Sequence, residues 1–283
     1  MQKKIAILML VHKDKKSVLR LIEHLSCDFD IYIHIDRRSS MEIDNRKGVH
    51  VYKRYKTYWG SLNITLATVF LMREAFQVGY DRYILISGQD LPIKTNQEII
   101  SFFNDNKKEY FKYKKLSGAD KEGEADLDRV VKYWPNYSFF GNKNVLIKAG
   151  FYLRKIAFDL ISRVRPRHLD FDFYKGAEWV NLTHNCLGKI FILMEENPKY
   201  FKRYKYTLCS DELFFQTTIK MVKGVQIVND SLRYVNWSDG PERPRIMREE
   251  DFCKITGCEC LFARKFDQNV DDKIIEEIYQ RIS

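Results

Sequence analysis

The sequence predicts an α/β fold in which a mostly parallel sheet is flanked by helices. Three observations carry that expectation. Ile5–Val11 and Tyr83–Ile86 are short apolar runs bounded by polar residues, the pattern of strands buried on both faces. The first run is followed by helical spacing at Val18, Leu19, Leu21, Ile22 and Leu25, and then by a second strand over Phe29–Ile35, so the chain opens β-α-β. Polar breaks follow the strands at His12–Lys16, Asp36–Ser40 and Ser87–Asp90, where open α/β sheets place their ligands.

In order along the chain, Ser17 is the expected cap of the first helix, and a right-handed crossover places His12 and Asp36 on one edge of the sheet. Val49–Tyr52 reads as a third, short strand, and Trp59-Gly-Ser61 opens a helix running through Leu71 and Phe76. After the central strand, Ser87-Gly-Gln-Asp90 forms a Gly-flexed loop, and Pro92 argues against further strand. Asp90 is there either a turn former or a ligand-binding carboxylate. A helix over Thr95–Phe103 follows, with Thr95 or Asn96 as N-cap and Glu98 in the first turn, then a strand at Tyr110–Tyr113. Gly118–Asp126 is polar and reads as a mobile loop. Lys143–Val164, running into Arg165-Pro-Arg167, mixes basic and apolar clusters, and is either a solvated basic face or a surface for anions or membrane. Val180–Met194 has helical spacing, Ser210 is the expected N-cap of a helix with Asp211 and Glu212 in its first turn, and Val225–Val228 and Leu232–Trp237 read as late strands. With no repeat, low-complexity tract or linker, residues 1–283 form one domain.

The chain has 283 residues, 45% of them hydrophobic, enough for a sizeable core. Its 48 Lys and Arg against 38 Asp and Glu leave a formal charge of +10, which favours anionic partners. No G-x-G-x-x-G or P-loop pattern supports dinucleotide or P-loop chemistry, and no RNP, KH or helix-turn-helix pattern supports nucleic acid as partner. The cysteines 27, 186, 209, 253, 258 and 260 lack the paired spacing of a zinc site, and free thiols in a reducing cytoplasm are expected. Met1–Val11 is too short for a membrane span or a signal peptide.

Several segments together resemble the Core-2/I-branching β-1,6-N-acetylglucosaminyltransferase family, which includes the peptide O-xylosyltransferases. They are Ile5–His12, Ile33–Arg37, Trp59-Gly-Ser61, Ser87–Ile93, Gly176–Trp179, Ser210-Asp-Glu212, Tyr234–Trp237 and Leu261–Asp267, in the family's order. The resemblance implies a GT-A-like, Rossmann-like fold and an inverting transfer from a UDP-sugar, N-acetylglucosamine before xylose, to a glycan hydroxyl. It implies Glu212 as general base, with Asp211 capping or orienting. It also implies a metal-free diphosphate clamp made by Lys265 with Arg245 or Arg243, and hence no cofactor. Val11, His12, Asp36 and Arg37 would line the nucleotide pocket, Asp90 would sit by the donor sugar, and Glu178, Trp179 and Trp237 by the acceptor. Each Trp is either a sugar platform or core, and His34 is expected in the core. Asp28-Phe-Asp30, Asp126-Leu-Asp128 and Asp170-Phe-Asp172 have the spacing of a metal-binding D-x-D but lie away from the central loop.

The chain resembles the short bacterial members of that family. Surface-polysaccharide or lipid-linked glycan acceptors are expected, in the cytoplasm with peripheral contact at the inner face of the membrane. A non-catalytic binder of anionic glycan or nucleic acid on the same fold is the rival from another class.

Overall fold

A computed structural model describes residues 4–119, 121–135, 145–240 and 243–283, with the backbone alone at 145–147. Of the segments discussed above, Met1–Lys3, Asp120, Lys143, Asn144 and Pro241 lie outside the described residues. The first half of the chain forms β1 (Ile5–Val11), α1 (Lys15–Ser26), β2 (Asp30–Ile35), β3 (Val49–Tyr52), α2 (Leu62–Phe76), β4 (Arg82–Ser87), β5 (Asp90–Pro92), α3 (Asn96–Phe103), β6 (Lys108–Phe111) and β7 (Lys114–Lys115). There follow α4 (Lys121–Val131), α5 (Val145–Val164), β8 (Tyr174–Lys175), β9 (Val180–Thr183), α6 (His184–Glu196), α7 (Pro198–Arg203) and α8 (Phe214–Met221). The chain ends with β10 (Gln226–Val228), β11 (Arg233–Val235), α9 (Phe252–Thr256), β12 (Phe262–Arg264) and α10 (Lys273–Ile282).

Seven strands pair in the order β10-β6-β9-β4-β1-β2-β3. β1 pairs parallel with both β2 and β4, and only β9 runs antiparallel to its neighbours. This is the mostly parallel α/β sheet of a GT-A-like fold. Alternation along the strands divides the core in two, as pleating requires. Ile5, Ile7 and Met9 of β1, with Ile84 and Ile86 of β4, pack on one face with Val18, Leu21 and Leu25 of α1 and Ile274 and Ile278 of α10. Ala6, Leu8, Tyr83 and Leu85 pack on the other with Leu71 and Met72 of α2, Leu187 and Ile190 of α6 and Phe215 of α8. His34 is buried as expected, its Nε2 accepting from Tyr55 N at 3.0 Å. Burial pushes its pKa down to about 4.

Several local expectations are corrected. Gly118–Asp126 is not a loop, because most of it lies in α4, with Glu122 and Glu124 in the helix's first turn and Val130 buried beneath it. Val180–Met194 is not all helix. Val180–Thr183 forms β9 in the middle of the sheet, and Thr183 Oγ1 then caps α6 by accepting from Cys186 N at 3.1 Å. Ser17 does not cap α1, whose N-cap is Asp14 in a left-handed conformation. The strand expected at Tyr110–Tyr113 begins earlier, at Lys108. Asp90 is not in a loop: after the turn at 88–89 it starts β5, which pairs antiparallel with β12 and with β11 makes a second, three-stranded sheet. Pro92 is tolerated because it ends β5 at the edge of that sheet.

α3 carries a full capping box: Glu98 N donates to Thr95 Oγ1 at 3.2 Å and Thr95 N to Glu98 Oε2 at 2.7 Å. Thr95→Ala should therefore lower unfolding stability by about 1 kcal/mol, read as a shift of the urea midpoint at constant slope.

Candidate active site

The parallel strands end at one level. Val11 pairs with Ile35 across β1 and β2, and Leu10 with Ser87 across β1 and β4, so His12, Asp36 and Gly88 emerge side by side. A Cβ on Gly88 would come within 2.8 Å of Val18 and 3.1 Å of Val11, so the bare backbone of this turn lies directly on the corner between β1 and α1. Val11 is accordingly buried beneath the turn. Asp36 is buried and held by Arg38, whose Nη2 donates to Oδ2 at 2.6 Å and whose N–H donates to Oδ1 at 2.9 Å. Burial pulls the Asp36 carboxyl upward, but the hydrogen bonds and charge of Arg38 outweigh it and hold the group below its usual value. Arg38 also lies over the Tyr58 ring at 4.1 Å, and both Arg37 and Arg38 are exposed. His12 is held below its usual pKa by desolvation and then by the charges of Lys13 and Lys265. The first strand's loop therefore lies within reach of the C-terminal segment's charge.

β9 runs antiparallel to β4, so the residues that precede it enter at this same edge and bring Glu178 and Trp179 with them. Asp90 is fully buried. Its Oδ2 accepts from Ser87 N at 2.5 Å, and its Oδ1 lies 3.3 Å from Arg264 Nε in an ion pair without hydrogen-bond alignment. Arg264 stacks on Trp179 at 4.1 Å and reaches to within 3.8 Å of Glu178. Trp179 is thus core: its ring is covered by Arg264 and Arg233, the latter at 5.1 Å. Burial, with the charges of Asp90 and Glu212, pushes the Glu178 carboxyl up to about 7 against the opposing pull of Arg264.

Glu212 lies in a 3₁₀ turn, Ser210–Glu212, before α8 and not in the first turn of a helix. Cys209, left-handed at φ 48°, turns the chain and donates its N–H to the carbonyl of Gly60 at 3.0 Å. Ser210 Oγ bonds Thr65 Oγ1 at 3.0 Å instead of capping. The Trp59-Gly-Ser61 segment therefore buttresses this turn. From the other side Gly176 N donates to the Glu212 carbonyl at 2.9 Å, and a Cβ on Gly176 would fall 1.9 Å from the Lys112 carbonyl oxygen. The Glu212 carboxylate is 42% exposed, and its Oε2 accepts from Arg129 Nη2 at 2.7 Å. Arg129 is itself fixed by the Leu208 and Cys209 carbonyls and by Asp126. Asp211 has a buried, unpartnered Oδ1, and burial and the charges of Glu178 and Glu212 push its carboxyl well above the usual range. Glu178, Asp211 and Glu212 thus form one cluster of three carboxyls.

The opposite flank is cationic. Lys265 is half-buried, its ammonium pushed down by desolvation and by Arg264 and Lys13, and drawn up by Asp267 and Asp90. Lys13 pairs with Asp267 at 2.7 Å and Asp14 at 3.2 Å. Arg245 is engaged by Asp239, Glu250 and Asp251, whereas Arg243 is exposed on a cleft that also reaches Arg248 and Val270. Trp237 is 53% exposed. The structure therefore brings Asp90, Glu178, Glu212, His12 and Lys265 into electrostatic contact through shared neighbours, and leaves Arg245 in its own carboxylate cluster. Arg129, Arg233, Arg264, Arg38 and Lys13 were not anticipated. Arg264 had a signal, since it alternates with Ala263 beside Lys265, and Arg129 had one in its i+3 spacing from Asp126.

The D-x-D pairs are engaged elsewhere. Asp28 accepts from Asn96, Asp30 from Tyr80, Asp126 pairs with Lys175 and Arg129, Asp128 with Lys132, Asp170 with Arg203 and Asp172 with Lys115. No group of three His, Cys, Asp or Glu able to hold a metal ion occurs among the described residues. All six cysteines are free thiols.

The carboxyl cluster has a measurable signature. The unfolded chain releases the Glu178 proton near 4.5, whereas the folded site keeps it to about 7. The native state thus binds more protons, and stability falls as pH rises through that window. Between pH 5 and 8 the thermal midpoint of the wild type should fall relative to that of Glu178→Gln, because His12, His24 and His34, held below their usual pKa by burial, tilt both profiles the other way. Identical slopes for the wild type and Glu178→Gln would contradict the burial argument.

Comparison with known proteins adds the lineage. Xylosyltransferase 2 of dog is 24% identical over 314 aligned positions that cover 96% of this chain and 33% of that protein. Human xylosyltransferase 2 gives the same figures, and mouse xylosyltransferase 1 is 22% identical over 90% of this chain and 28% of its own length. The chain spans about a third of the length of the curated relatives it matches. The family model described as Core-2/I-Branching enzyme matches residues 5–259, which takes in every site segment except the one with Arg264 and Lys265. By that match over most of its length, the chain belongs to the Core-2/I-branching enzyme family.

Proposed function

We propose that this protein is an inverting, metal-independent glycosyltransferase that moves a sugar from a UDP-sugar to a hydroxyl of a glycan acceptor. The observation that carries it is Glu212. It is a half-exposed carboxylate with one oxygen held by Arg129, set at the same strand edge as the Asp90–Arg264–Glu178 group and Lys265. The free oxygen of Glu212 takes the acceptor proton as the acceptor oxygen bonds to the anomeric carbon. The bond from that carbon to the diphosphate breaks from the opposite face, its electron pair leaving with UDP. Lys265, with Arg243 or Arg245 as its candidate partner, meets the departing charge as a fixed cation. Asp90 and Arg264 are read as meeting donor-sugar hydroxyls, and Glu178 and Trp237 as meeting the acceptor.

The donor is read as UDP-N-acetylglucosamine. UDP-xylose is the second reading, favoured by the relatives named xylosyltransferases. The acceptor is read as a surface polysaccharide or a lipid-linked glycan, glycosylated in the cytoplasm at the inner face of the membrane.

UDP release from a panel of UDP-sugars, with EDTA present, tests this. Release is expected with one donor and should fall by about 10²–10⁴ in Glu212→Gln and by about 10²–10³ in Lys265→Ala. Release abolished by EDTA would overturn metal independence. If no donor is bound or hydrolysed while polyanions bind with steep salt dependence, the protein is a binder and not an enzyme.

A further inference from the structure

We infer that α5 is an in-plane membrane helix that seats the protein on an anionic lipid surface. Thirteen large hydrophobic side chains are markedly exposed among the described residues, and six of them (Tyr152, Leu153, Ile156, Leu160, Ile161 and Val164) lie on this one helix. Leu153, Ile156, Leu160 and Val164 follow each other at steps of three, four and four residues, so they form one stripe, with Leu153 69% and Val164 81% exposed.

The stripe is not a core face turned the wrong way, because α5 is already docked by its other side. Phe151 is buried, Phe158 packs against Tyr206 at 5.5 Å, Lys155 lies over Trp134 at 5.6 Å, and Ser162 Oγ accepts from Tyr133 N at 2.8 Å. Just past the helix, Arg167 is buried and donates to the carbonyls of Lys132, Tyr206 and Arg203. That pins the end of α5 to the segment that leads into the turn carrying Glu212.

Charge decides the occupant. Lys148, Arg154, Arg163 and Arg165 are exposed along and just beyond the helix, and Asp159, the one acidic residue between 148 and 167, is paired with Lys155 at 3.1 Å. An apolar face bordered by cations complements acyl chains beneath anionic headgroups. A second copy docked on the same face would bring these cations against their own kind. Spanning is a different matter, because no described helix is long and apolar enough to cross a membrane. Lipid binding does not depend on the proposed reaction, and its test reads binding alone.

The test is cosedimentation of the full chain with phosphatidylcholine vesicles containing a third phosphatidylglycerol, beside vesicles of phosphatidylcholine alone. The wild type should pellet with the anionic vesicles and much less with the neutral ones. Leu153→Ser with Leu160→Ser should weaken partitioning by about tenfold or more. Arg154→Glu with Arg163→Glu and Arg165→Glu should weaken it by about fivefold or more per residue. All five positions are exposed, so the thermal midpoints should stay at the wild-type value. The proposal is overturned if the wild type stays in the supernatant, or if either variant pellets as the wild type does. It is also overturned if the wild type is instead a dimer that the leucine variant dissolves.

Discussion

Asp90 and Arg264 tie the three-stranded sheet to the carboxyl edge of the seven-stranded one. They sit opposite each other where β5 pairs with β12, Asp90 fully buried and Arg264 only 16% exposed, so little water reaches the pair. An isolated pair of this kind is expensive to bury and is tolerated only when its remaining polar atoms find partners. Here Ser87 N serves one Asp90 oxygen, while Arg264 extends to Glu178 and lays its plane on Trp179. The pair therefore joins three stretches far apart in sequence: the end of β4, the approach to β9 and the C-terminal strand β12. Asp90 Oδ1 and Arg264 Nε nonetheless lack an aligned hydrogen bond, and Nε and Nη1 of the neighbouring Arg233 are also unpartnered. A site whose buried donors and acceptors are left partly unused is suited to a polar ligand that completes them.

The carboxyl cluster follows from the same packing. Glu178, Asp211 and Glu212 are close enough to feel one another, and like charges that close cannot all ionise freely. The environment separates them. Asp211 and Glu178 are pushed upward by burial, and Glu212 alone has an arginine bonded to it. Burial thus sets Glu178 and Asp211 apart in environment from Glu212, which an arginine holds. Arg129 also bonds the Leu208 and Cys209 carbonyls, so the group that compensates Glu212 fixes the backbone that presents it.

Much of this architecture was legible because the parallel strands are local signals. β1, β2 and β4 are apolar runs that need no tertiary context, and the loops after them necessarily share one edge. What was not legible depended on partners distant in sequence. β9 is four residues long and runs directly into α6, so the helical spacing of Leu187, Ile190 and Phe191 masked it. α4 reads as polar because its inward residues include Asp126, buried by ion pairs with Lys175 and Arg129 rather than by apolar contact. Asp90 reads as a loop residue because its strand partner comes more than 170 positions later. The Asp36 partner Arg38 was missed beside the more conspicuous Arg37, since adjacent arginines at a strand end cannot be ranked without the direction each takes.

The formal charge of +10 resolves into separate populations once the residues are placed. Arg264, Arg233 and Lys265 are drawn into the site, where burial makes each cation act strongly on whatever anion enters. Arg129 and Arg167 are consumed by carbonyls and a carboxylate and contribute geometry rather than free charge. The exposed arginines bordering α5 belong to neither group. They flank an apolar stripe, on a helix whose end Arg167 ties to the approach of the Glu212 turn. Arg167 grips Tyr206 and Thr207 just before the Glu212 turn, so the helix proposed to meet lipid and the carboxylate proposed as base are anchored through one buried guanidinium.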